Sequence, residues 1–184
     1  MQITTTDISG LLILEPKVFP DSRGFFFEAY NEQVFAAAGI DIRFIQDNQS
    51  RSKYGVIRGL HYQLNPSAQA KLVRVLEGRI LDVAVDIRKG SPTFGKHFDI
   101  ELSADNQKQL LIPAGFAHGF SVLSEYATVL YKCDAYYNKD AEAGILYNDS
   151  ALNIDWQIPA DKAIVSEKDL QLPAFEACSN NFQF

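Results

Sequence analysis

Strand-like runs dominate this chain, and they are short. The aromatic run Phe25 to Tyr30 reads as one strand, and Lys71 to Leu76 and Arg79 to Ile87 are rich in Val, Leu and Ile. Phe98 to Leu102, Gln109 to Ile112, Gly119 to Leu123 and Ala127 to Cys133 follow at close intervals. Turn residues cut between them: Gly90-Ser91-Pro92, Pro113-Ala114-Gly115 and Asn138-Lys139-Asp140. Many short strands thus recur at close spacing. They fit an antiparallel sandwich or a jelly-roll barrel. Glu77-Gly78 joins the first two runs, and that spacing predicts a hairpin.

Helix signals are few. Asn31 is placed to cap a short helix from Glu32 to Ala38, with Gly39 beyond its end. A second helical turn is expected after Ser166 and before Pro173. The 184 residues suit one domain over 1–184, with no linker or repeat to divide them. Apolar residues make up 47%, with 13 Phe and 8 Tyr, which supplies a substantial core and excludes a disordered chain.

Seventeen basic against 23 acidic residues give 17 − 23 = −6, which argues against nucleic acid as a partner. A few Arg and Lys can still hold one diphosphate. Cys133 and Cys178 lack CxxC spacing, so neither a disulfide framework nor a structural zinc site is expected. The start of the chain does not read as a signal peptide, and no apolar segment is long enough to span a membrane. These readings give the expectation of a reduced, cytoplasmic setting.

Strand parity sorts the polar residues. Lys71 shares a lane with Val73 and Val75, Tyr131 with Val129 and Cys133, and His118 with Phe116, Phe120 and Val122. A barrel interior with a few convergent polar groups is the form of a small-molecule pocket. His61, in Arg58-Gly59-Leu60-His61-Tyr62-Gln63, is suited to exchange a proton near neutral pH, or to serve as a hydrogen-bonded core histidine. Lys71 fits either the stabilisation of an enolate oxygen or a strand end with its ammonium in water. Tyr131 fits either a proton donor or a barrel tyrosine with a satisfied hydroxyl. Arg23, Arg58 and Lys168 are candidate phosphate ligands, and Tyr137 a candidate base-stacking ring. Ser166-Glu167-Lys168-Asp169 reads on spacing as a capping box. Barrels that bind metal often supply two histidines one residue apart; here Gln63 follows His61-Tyr62, and His97 and His118 are distant in sequence. No metal site is expected.

Several motifs stand in a fixed order along the chain. They are Asp21-Ser22-Arg23-Gly24-Phe25-Phe26-Phe27-Glu28, Gln46-Asp47-Asn48-Gln49-Ser50, Gly55 to Gln63, Lys71-Leu72-Val73-Arg74-Val75 and Asp86-Ile87-Arg88. Ser91 to Gly95, Ile112 to Phe120, Leu130-Tyr131-Lys132-Cys133 and Ser166 to Asp169 follow. From about Asp7 to Pro173 the sequence resembles the dTDP-4-dehydrorhamnose 3,5-epimerases. Ala70 stands where that family often has glycine, and Tyr147 where tryptophan is common. Neither departure touches the acid–base residues.

The resemblance implies an all-β, cupin-like jelly-roll barrel with short peripheral helices. It implies inversion at C3 and C5 of dTDP-4-dehydro-6-deoxy-D-glucose without cofactor or metal. His61 matches the general base, Tyr131 the acid, Asp169 the carboxylate that orients the histidine, and Lys71 the enolate-stabilising residue. Arg23, Glu28, Gln46, Asn48, Arg58, His118, Glu142 and Lys168 match nucleotide-sugar contacts, and Tyr137 the ring that stacks on thymine. It also implies a homodimer with shared active sites, in which Arg23 and Glu28 reach the other subunit's pocket. The alternatives are a single-carbon epimerase or ketoisomerase of the same fold, a noncatalytic sugar-nucleotide-binding barrel, and a metal-dependent oxygenase.

Overall fold

The computed structural model describes residues 1–184. The first half runs β1 (Gln2–Thr5), β2 (Leu12–Glu15), β3 (Phe19–Asp21), β4 (Gly24–Phe26), α1 (Glu32–Ala37), β5 (Gln46–Lys53), β6 (Ile57–Gln63) and β7 (Lys71–Glu77). The second half runs β8 (Arg79–Asp86), β9 (His97–Ser103), β10 (Gln109–Ile112), β11 (Phe116–Val122), β12 (Tyr126–Cys133), β13 (Glu142–Gly144) and α2 (Glu167–Leu170). A six-stranded sheet in the order β1-β2-β10-β7-β12-β5 faces a five-stranded sheet in the order β13-β6-β11-β8-β9. Every pairing within them is antiparallel, which gives the jelly-roll sandwich expected from the run lengths. No helix is long and apolar enough to cross a membrane.

The space between the sheets holds the first core. Val73 and Val75 of β7, Val129 of β12 and Leu110 of β10 meet Ile80 and Ala84 of β8 and Phe116 and Phe120 of β11. Strand β8 is buried on both faces. Its other parity, Leu81, Val83 and Val85, packs under the C-terminal segments that carry Ile145, Leu152, Trp156 and Phe182. A strand covered on both sides must be apolar at both parities, which accounts for the Val/Leu-rich run. On the outer face of the six-stranded sheet, Phe35 of α1 packs on Leu14, Leu72 and Leu111. The Asn31 side chain accepts from the Gln33 and Val34 amides, at 2.9 and 3.3 Å, so the helix starts where its cap predicts.

Two expectations are corrected. The Glu77-Gly78 junction is not a hairpin. β7 pairs with β10 and β12, β8 pairs with β11 and β9, and Gly78 turns the chain from one sheet into the other. Gly78 sits at φ 75°, and a Cβ there would strike the Tyr126 carbonyl. The left-handed glycine that serves a hairpin turn also serves a corner. The aromatic run from Phe25 to Tyr30 forms strand only as far as Phe26, paired with β3. Phe25 and Phe26 are 60% and 69% exposed.

Candidate active site

The site grows from an irregularity in β6. Strand β6 pairs with β11 so that His61 faces His118 and Arg58 faces Phe120, leaving Gly59 and Leu60 opposite the single residue Gly119. Arg58 and His61 are three apart, so a regular strand would point them to opposite faces. The extra residue restores a common face, and both side chains line the interior cavities. Gly59 has φ 128°, and a Cβ on it would lie 2.8 Å from the His118 carbonyl oxygen. Glycine is required there by both backbone angle and space.

His61 Nε2 lies 2.8 Å from Asp169 Oδ1. Asp169 is on α2, and the Ser166 hydroxyl accepts from its backbone amide at 3.1 Å. The cap read from spacing is therefore present, but the Asp169 carboxylate is aimed at His61 rather than back at the cap. Burial pushes the Asp169 pKa up. The His61 hydrogen bond and charge, the Gly59 amide and Ser166 outweigh it and hold the group below its usual range. An ionised carboxylate at Nε2 fixes the proton on that nitrogen and leaves the lone pair of Nδ1 free. No protein group hydrogen-bonds Nδ1.

Two side chains of the facing sheet complete the centre. Tyr131 (β12) and Lys71 (β7) each line two of the three cavities that His61 lines, which measure about 170 and 130 Å³, while the third, about 400 Å³, runs past Arg58, Lys168 and Asp169. Burial, then Cys133, raises the Tyr131 pKa against a smaller pull from Arg58, so the phenol keeps its proton at neutral pH. Burial lowers the Lys71 pKa, opposed by Cys133 and Asp82, and its ammonium has no ion-pair partner in the chain. Cys133 is the register partner of Lys71, and burial pushes its thiol up, so it stands beside the lysine as a neutral group. A free imidazole nitrogen, a protonated phenol and an unpaired ammonium around one cavity can move a proton and stabilise an oxyanion.

Residues 5–177 match the family model described as dTDP-4-dehydrorhamnose 3,5-epimerase. The chain belongs to the dTDP-4-dehydrorhamnose 3,5-epimerase family. It is 54% identical to the dTDP-4-dehydrorhamnose 3,5-epimerase of Shigella flexneri over 171 residues, 92% of this chain and 93% of that one. The crystal structure of the enzyme of that name from Elizabethkingia anophelis superposes with a TM-score of 0.91 at 53% identity, covering 96% of this chain and 97% of that one. A dTDP-6-deoxy-D-glucose-3,5-epimerase from Legionella pneumophila, solved in complex with dTDP-4-keto-L-rhamnose, superposes with a TM-score of 0.92 at 47% identity, covering 96% and 93%.

In this epimerase-family chain most of the remaining candidates gather around the same cavities. Gln46 and Asn48, two apart on β5, line the 170 Å³ cavity with Tyr137 and Glu142. The Tyr137 hydroxyl donates to Glu142 Oε2 at 2.9 Å, and Lys168 Nζ lies 2.7 Å from Glu142 Oε1. Arg58 donates from Nε to the Ser52 hydroxyl at 3.0 Å. His118, distant from His61 in sequence, stands opposite it in register, so sequence separation was no guide to their spacing. Its Nε2 is 3.0 Å from Asp82, a carboxylate with no solvent exposure.

Arg23 and Glu28 are not brought to this centre. Arg23 sits on the β3–β4 turn, its side chain 88% exposed and paired with Asp21 at 2.6 Å, and Glu28 lies beside Phe19, Phe26 and Val34. Sequence reasoning missed Ser50, Gln63, Gln69 and Asp82. Ser50 has a buried hydroxyl with no partner in the wall of the smaller cavity, a free contact for a bound polar group. Parity would have found it, since it shares the lane of Gln46 and Asn48.

Proposed function

We propose that this chain inverts C3 and C5 of dTDP-4-dehydro-6-deoxy-D-glucose to give dTDP-4-dehydro-L-rhamnose. The observation that carries the reading is the His61–Asp169 pair opening onto a cavity that Tyr131 and Lys71 also line. The 4-ketone acidifies the hydrogens on both neighbouring carbons. His61 takes the C5 proton through Nδ1 while Asp169 stabilises the imidazolium that forms. Lys71 stabilises the enolate oxygen. Tyr131 delivers a proton to the opposite face, and its phenolate is reprotonated from solvent as His61 releases its own proton. A ring flip then offers C3 to the same base. Only protons move, so the balance requires no redox cofactor.

Tyr137 stacks on the thymine, and Gln46, Asn48, Arg58, His118, Glu142 and Lys168 contact the nucleotide sugar. Arg23 and Glu28 act in the pocket of a second copy in a homodimer. Their distance from their own pocket supports that role, as do the exposed rings of Phe25 and Phe26. Two unpaired cysteines fit a reducing, cytoplasmic setting.

Incubation with the 4-keto sugar nucleotide, followed by NMR of the product, tests the reading. Inversion at both carbons is expected, with activity surviving exhaustive chelation. Inversion at one carbon, a shifted ketone, or activity lost to a chelator and restored by a divalent ion would contradict it.

A further inference from the structure

The wall of the cavity that His61 shares with Tyr137 contains a glutamine whose amide is almost fully committed to backbone. Gln63 follows His61 by two residues on β6, in the same lane, and is 5% exposed. Its Nε2 donates to the carbonyls of Ser67 at 2.6 Å and Tyr136 at 3.3 Å, and its Oε1 accepts from the Asn138 amide at 2.7 Å. Both donors are used, so Gln63 has no N–H left for a ligand. Two of the three bonds bracket Tyr137. The peptide before Tyr137 is held at its oxygen by Gln63 and at its N–H by Gln46 Oε1, 3.0 Å away. The peptide after it is held at its N–H by Gln63. The β6–β13 ladder also pairs Gln63 with Glu142, which accepts from the Tyr137 hydroxyl.

We infer that Gln63 is a positioning residue for nucleobase recognition: it fixes the backbone on both sides of Tyr137 and, through the ladder, the carboxylate that holds the Tyr137 hydroxyl. The inference rests on the proposed stacking of Tyr137 on the base. A ring on an exposed loop, 56% accessible, loses freedom when a base stacks on it. Anchoring both flanking peptides beforehand reduces what binding must order. The catalytic centre draws on the same strand two residues earlier, so one element sets both the base His61 and the nucleotide clamp.

Calorimetric titration with dTDP and with inorganic pyrophosphate separates the base from the phosphates. Gln63→Met is expected to weaken dTDP about ten-fold, equivalent to about 1.4 kcal/mol, and to change pyrophosphate affinity less than about two-fold. With the sugar nucleotide it raises KM more than it lowers kcat. In a Tyr137→Ala background the same substitution adds less than about two-fold, because the group it positions is gone. Gln63→Glu keeps the acceptor for Asn138 and loses both donors, and gives an intermediate loss if Gln63→Met does not fold. Unchanged dTDP affinity in the Gln63 variants, with Tyr137→Ala weakened, overturns the positioning role. Equal losses for dTDP and pyrophosphate, or full additivity with Tyr137→Ala, also overturn it. Unchanged dTDP affinity in Tyr137→Ala removes the stacking reading, and this inference with it.

Discussion

Asp169 acts on His61 through one 2.8 Å contact, and the consequences of that contact can be separated from folding. Its pKa lies below the ordinary 3.8, so its stabilising charge is present above that value and lost only as pH falls through the lower, folded pKa. Asp169→Asn leaves no carboxylate to hold the Nε2 proton. It should lower kcat by about 10²-fold or more across the neutral range, with KM changed far less and the circular dichroism spectrum retained. A variant within about three-fold of wild type would mean that Asp169 only caps α2. Tyr131→Phe removes the donor and keeps the ring. Solvent deuterium should still enter the substrate while net inversion fails, and epimerisation at the wild-type rate would remove Tyr131 as the acid. At this scale the sequence shows which lanes carry Lys71, Tyr131 and His118, because parity needs only a regular strand. It does not show the capping residue Ser166 and the oriented Asp169 as compatible, since spacing alone treats them as rivals.

Strand β6 explains why element-level reading runs out where it does. Strands such as β10 and β12 are legible as short apolar runs bounded by turn residues, and α1 from Asn31. The extra residue at Gly59-Leu60 breaks alternation in the segment that carries His61, and a glycine in a strand signals a bulge without saying which side chains it re-aims. Gly78 is equally ambiguous, because its positive φ suits the sheet-to-sheet corner as well as a hairpin. Gly59→Ala would force a Cβ to within 2.8 Å of the His118 carbonyl at φ 128°. The expected cost is about 2–3 kcal/mol, a fall of roughly 5–10 °C in melting temperature, together with loss of most activity as Arg58 and His61 separate. An unchanged melting temperature and rate would show that the bulge tolerates a side chain and does not hold the site.

Across the whole molecule, both sheets are covered on their outer faces, by α1 on one side and the C-terminal segments on the other, and the β3–β4 hairpin is left with exposed rings. In the proposed homodimer with shared pockets, that hairpin would carry Arg23 into the partner. Co-refolding inactive His61→Ala with inactive Arg23→Ala should then restore part of the activity, since some mixed dimers hold one intact pocket. A monomer by light scattering, or no recovery despite proven subunit exchange, would contradict the shared site. The sheets and their lanes are legible in the sequence. The approach of His118 to His61, and the glutamines that brace the Tyr137 loop, depend on contacts between distant segments and are visible only in the fold. The central claim is that one histidine draws protons from both carbons beside the ketone, and solvent exchange tests it most directly. In deuterated water the wild-type protein should place deuterium at C3 and C5, and His61→Ala should place it at neither while still binding the nucleotide. Exchange at wild-type rates in His61→Ala, at either carbon, would contradict it.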